Sequence, residues 1–263
     1  MPLRQERWED LPNHEISPAG ELALAFQRAQ WRHGETDHFI VHYRSMSDAL
    51  QVAREIEFDL WYVAQSLGAE PWQYARKSHV YIFRDEKDWQ KFLVETRAPG
   101  WVHSFASRDD LFLDLRAAGG GFDSHTLAHE TTHAIISRLY GNRRWPLWLS
   151  EGFAEYMGGA SVAARNSRSP RSNQRKLQFA EMTVAELFAT QRYPEAPLEV
   201  TRLYDTSAKF VRYLFNKYPK ELFPKFVDLV IGGRSPTEAL LEIYGKEFAD
   251  MADFEKRFSR FTR

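Results

Sequence analysis

The chain has 263 residues and no cysteine, which excludes disulfides and removes thiolates from any metal site while leaving the redox compartment open. It also lacks an excess of charge of either sign. Its 35 Lys and Arg against 36 Asp and Glu give a formal net charge of −1, so nothing in the overall balance draws it to nucleic acid or to a membrane surface. No apolar run approaches the ~18 residues of a transmembrane helix. Residues Met1 to Trp8 contain no apolar signal region, as expected of a cytoplasmic start or of a chain whose export signal has been removed. Aromatic residues, in contrast, are abundant: 19 Phe, 11 Tyr and 8 Trp can fill a core and still line substrate subsites. The length suits one large domain or two lobes sharing a cleft.

Periodicity organises the chain. Residues 1–19 are Pro-rich and polar and read as an irregular arm. His38 to Tyr43 and Ser78 to Phe83 read as strands, separated by an amphipathic helix over 47–67 that stops at Gly68. Asp85 opens a helix carrying Trp89, Phe92 and Leu93. Residues 101–106 and 110–115 then read as two strands joined by Ser107-Arg108-Asp109. The 110–115 strand is the expected sheet edge, able to pair with an extended peptide. Gly119-Gly120-Gly121 reads as a connector, since it lacks the spacing and the lysine of a phosphate-binding loop. A basic tract over 160–182, with Arg165, Arg168, Arg171, Arg175 and Lys176, reads as a solvated loop, the functional alternatives being a lid or a contact for acidic substrate. From Val184 onward the pattern is helical, with breaks near Tyr193-Pro194, Tyr218-Pro219 and Gly232-Gly233. The expected divisions are an arm over 1–19, a sheet-containing lobe over 20–159, the loop over 160–182 and a helical lobe over 183–263 that closes a cleft.

The chemistry concentrates in His129-Glu130-Thr131-Thr132-His133. Residues 122–136 read as a helix with Asp123 or Ser124 as N-cap and Gly141-Asn142 as the stop signal. His129 and His133 then stand one turn apart on a single face, from which both imidazoles reach one ion. Glu130 lies beside that face, within reach of a water's proton. The alternative is a buried helix whose histidines are satisfied by carboxylates or carbonyls. Eighteen residues after His133 comes Glu151, in Trp148-Leu149-Ser150-Glu151-Gly152-Phe153-Ala154-Glu155-Tyr156. Pro146 is placed to start this second helix. Glu151 and Glu155 share a face, so one can complete a metal shell while the other orients a ligand imidazole. Gly152 is expected to allow close approach to the first helix. His125, one turn before His129, reads as an outlying histidine that supports the site, because a catalytic zinc keeps its fourth position open.

Leu127-Ala128-His129-Glu130-Thr131-Thr132-His133 together with Leu147-Trp148-Leu149-Ser150-Glu151-Gly152-Phe153-Ala154-Glu155-Tyr156 resembles the gluzincin metallopeptidases, specifically the peptidase MA-like domains related to the aminopeptidase N and thermolysin groups. The likeness covers the two motif helices closely and extends from about His38 to Leu214. It implies an α+β, zincin-like fold and a single Zn²⁺ held by His129, His133 and Glu151. It further implies Glu130 as the general base in hydrolysis of a peptide or protein substrate by a metal-bound water. Where thermolysin-like enzymes carry aspartate four residues after the ligand Glu, this chain has Glu155. Tyr204, in Leu203-Tyr204-Asp205-Thr206-Ser207-Ala208-Lys209-Phe210-Val211, matches the tyrosine that stabilises the oxyanion in aminopeptidase-like members, against the plainer reading of a ring packed at a helix start. Relatives of this type are often exported, which tilts the expected location to the periplasm or the extracellular space. No Gly-x-Met-Glu-Asn-like segment for binding a free amino terminus is found. Two other functions fit the same residues: a non-catalytic zinc-binding module, and a zinc hydrolase of non-peptide amides or esters.

Overall fold

The residues of highest β-propensity, Phe39-Ile40-Val41-His42-Tyr43 and Ser78-His79-Val80-Tyr81-Ile82-Phe83, lie side by side at the centre of one sheet. The computed structural model describes residues 2–70, 76–115, 123–141, 143–167 and 181–261. They form an α+β chain that divides into two units, 1–63 with 70–141 and 64–69 with 142–263.

The first unit holds a mixed six-stranded sheet. Its strands are β1 (Arg4–Glu6), β2 (Arg32–Glu35), β3 (Phe39–Tyr43), β4 (Ser78–Phe83), β5 (Ser104–Ser107) and β6 (Asp110–Asp114), in the spatial order β1-β2-β3-β4-β6-β5. β3, β4 and β6 run parallel, with Val41 opposite Val80 and Val80 opposite Leu111, and the remaining pairings are antiparallel. Every residue of β3, β4 and β6 is buried, so the centre of the sheet is covered on both faces, as parallel strands require. Helices α1 (Pro18–Ala25), α2 (Met46–Ser66), α3 (Glu86–Thr96) and α4 (Ser124–Tyr140) accompany it. Tyr81, Phe83 and Phe112 pack with Trp31, Trp89, Phe92 and Leu93 in one aromatic cluster.

Several expectations change here. The arm over 1–19 is not irregular throughout: Arg4–Glu6 pairs with His33–Glu35, and Ser17 caps α1 through the Gly20 amide. A polar strand on the sheet's border carries no alternation to announce it. The strand expected over 101–106 spans 104–107. More important, β6 is not the edge. Arg108, in the left-handed region at φ 56°, folds β5 back against β6, whose other side is taken by β4. Among the described residues the edge strand on that side is β5.

The second unit is helical, built from α5 (Leu147–Arg165), α6 (Val184–Ala189), α7 (Pro197–Lys217), α8 (Leu222–Ile231), α9 (Pro236–Tyr244) and α10 (Met251–Arg260). All three expected breaks fall in connections between helices. α5 belongs to this unit rather than to the 20–159 lobe, and it runs to Arg165, so helix occupies the start of the expected 160–182 loop. The rest of the basic tract over 168–180, the glycine connector at 119–121 and Asn142 lie outside the described residues. Trp148 of α5 meets Phe188 and Phe210, and Phe153 stacks on Phe223. α5 crosses α7 closely because Gly152 has no side chain: a Cβ there would stand 2.5 Å from the Ser207 carbonyl oxygen. The helix that Gly152 admits is therefore α7, not the expected α4. Among the described residues no helix is long and apolar enough to cross a membrane.

Candidate metal centre

α4 starts where its cap dictates. The Asp123 carboxylate accepts the His125 amide at 3.1 Å and also bonds the Thr126 hydroxyl. The helix ends at Gly141, whose φ of 58° a residue with a Cβ adopts only under strain. Leu127, Ala128, Thr131, Thr132, Ala134, Ile135 and Ile136 are buried. His129 and His133 consequently share a half-buried face, with their Nε2 atoms 3.1 Å apart. Two imidazole nitrogens on one tetrahedral ion stand about 3.3 Å apart, given bonds of about 2.05 Å, so the observed spacing fits a shared metal.

Glu130 is held from the sheet. The Ala106 amide of β5 donates to Glu130 Oε2 at 3.0 Å, which orients the carboxylate. Ala106 lies on β5, the edge strand among the described residues, so the candidate base and the candidate substrate-pairing strand are tied by a hydrogen bond from a backbone amide.

Glu151 lies in the first turns of α5, after Pro146, whose carbonyl accepts the amides of Leu149 and Ser150 at 3.0 Å. Its residue is only 5% exposed. Among the described residues, His129 and His133 of the first unit and Glu151 of the second are the one group of three or more His, Asp or Glu side chains that could hold a metal ion. Two imidazoles and a carboxylate are a donor set suited to zinc. His125 is outside this group. Glu155 sits one turn beyond Glu151 in α5, half-buried.

One participant has no signal in the sequence. Tyr193, in the connection between α6 and α7, donates its hydroxyl to Glu151 Oε1 at 2.7 Å. Its ring stacks on Tyr204 of α7, with centroids 6.4 Å apart. Burial pushes the Tyr193 phenol far above its usual range, and the Glu151 carboxylate pushes it further, so it is a hydrogen-bond donor at any ordinary pH. In the sequence Tyr193 marks only a break before Pro194; its partner lies 42 residues away. Tyr204, which the sequence did single out, thus packs its ring on the partner of Glu151. No family model matches this chain, and no curated protein matches it.

Proposed function

We propose that the chain is a zinc-dependent hydrolase of peptide bonds, of the gluzincin type. The observation that carries this reading is the imidazole pair of α4, with Nε2 atoms of His129 and His133 3.1 Å apart, beside Glu130, which is next to a ligand in sequence and anchored to the edge strand; Glu151 is the candidate third ligand. When bound, zinc supplies a Lewis acid that activates water and polarises a carbonyl. His129 and His133 supply neutral nitrogens and Glu151 the charged oxygen. Glu130 accepts the proton of the attacking water and returns it to the leaving nitrogen. A base serves no purpose in a purely structural site, which favours catalysis over a non-catalytic module. β5 offers an extended substrate a partner strand, satisfying its backbone without demanding particular side chains. That preference for an extended chain is why peptides are favoured over smaller amides or esters. Tyr204 donates its hydroxyl to the developing oxyanion.

A peptide-library digest with and without chelator, run beside metal analysis, tests this. Chelator-sensitive cleavage by the wild type is expected, together with a Glu130→Gln protein that keeps its zinc and cleaves nothing. Full activity in zinc-loaded Glu130→Gln would remove Glu130 from the chemistry. Tyr204→Phe is expected to lower turnover by about two orders of magnitude. Unchanged turnover would return Tyr204 to ordinary packing.

A further inference from the structure

We infer that Tyr193 is the positioning residue of the metal centre, holding the Glu151 carboxylate in the orientation that meets a metal; this rests on the zinc reading above. A glutamate reaches its target through three rotatable bonds, so burial alone does not fix where its oxygens point. The Tyr193 hydroxyl fixes one of them, through a short bond to a charged acceptor, 2.7 Å long. The choice of a phenol has a chemical consequence. A lysine or arginine in its place would neutralise Glu151, whereas a neutral donor orients the carboxylate and leaves its charge for a cation.

Packing does not account for this side chain. Tyr193 is 52% exposed, one of the few large apolar residues so open among the described residues, yet its hydroxyl reaches a carboxylate on a residue that is 5% exposed. The ring is braced from below. It stacks on Tyr204 in α7, and three residues further along α7 the Ser207 backbone presses against Gly152, the residue that follows Glu151. Tyr193 and Glu151 are thus referenced to the same pair of helices.

The test is a double-mutant cycle on Zn²⁺ affinity, measured by competition with a chromophoric chelator, using wild type, Tyr193→Phe, Glu151→Ala and the double variant. Tyr193→Phe takes a donor from a buried carboxylate, so the thermal midpoint of the metal-free protein is expected to drop somewhat, and affinity is read well below that midpoint, on folded protein. Its zinc affinity is expected to fall about 10- to 100-fold, the usual loss on removing an orienting partner of a ligand. The Co²⁺-substituted protein should show a changed ligand-field spectrum. In the Glu151→Ala background the same substitution should change nothing, because its effect passes through Glu151. Wild-type affinity in Tyr193→Phe, or an equal loss in both backgrounds, overturns the role. A wild type that binds no zinc overturns the metal-centre reading itself, a result distinguishable from either.

Discussion

Two groups of histidines in the sheet-containing unit show how little the residue type alone decides. His33, His42 and His79 stand on the adjacent strands β2, β3 and β4, and they bond to one another: His33 Nδ1 to His42 Nδ1 at 2.8 Å, His42 Nε2 to His79 Nδ1 at 2.9 Å. His42 therefore has both ring nitrogens engaged by neighbouring rings. Trp8 and Tyr81 close over the row, and His42 and His79 are almost wholly buried. His129 and His133, by contrast, rise from one helix, are half-buried, and turn one nitrogen each to a common point. The first arrangement spends its nitrogens on cohesion. The second leaves a coordination geometry.

Metal binding separates the two groups most sharply. His133→Ala is expected to abolish stoichiometric zinc binding, while His79→Gln keeps one ion per chain by elemental analysis. Zinc lost from His79→Gln but not from His133→Ala would reverse the assignment.

Acid should separate them next. Burial holds His42 well below the ordinary histidine value of 6.5, and burial with nearby Arg76 holds His79 down at about 4. The unfolded chain binds more protons than the folded one once pH drops below 6.5. Stability is therefore full above that value and falls towards pH 4, by up to about 1.4 kcal/mol per pH unit for each such histidine. Denaturant midpoints between pH 7 and 4.5 check the slope, which His79→Gln should flatten. A slope unchanged in that variant would mean that His79 is already protonated in the folded state.

A third substitution probes the carrier of Glu151 rather than the histidines. Gly152→Ala forces a methyl against the Ser207 backbone and should cost about 1–3 kcal/mol in urea unfolding. A neutral effect would mean that α5 and α7 separate freely. The smallest expected change is at the start of α4: Asp123→Ala removes the cap and should cost about 1 kcal/mol by thermal melting, with zinc stoichiometry retained.

The same contrast explains what could be read in advance. Helical spacing is local, so His129 and His133 declared their common face through a separation of four, and Asp123 and Gly141 bounded the helix by their own chemistry. Strand content was equally local for β3 and β4. Strand partnership was not. The histidine row exists only because β2 pairs β3 in the register that sets His33 opposite His42, and because β4 runs parallel beside it. The edge was misjudged for that reason: β5, joined to β6 by a short turn, was legible as a strand, but nothing in Asp110-Leu111-Phe112-Leu113-Asp114 announces that β4, about 30 residues earlier, takes the other side. β1, all polar, had no pattern to read. Tyr193 was illegible because its one telling contact joins a connection to a helix 42 residues away.

Anomalous diffraction at the zinc edge, from crystals of the zinc-loaded protein, tests the central assignment most directly. A single peak in contact with His129, His133 and Glu151 is the expected result. A peak on the His33–His42–His79 row instead, or no peak in protein that binds zinc in solution, would contradict it.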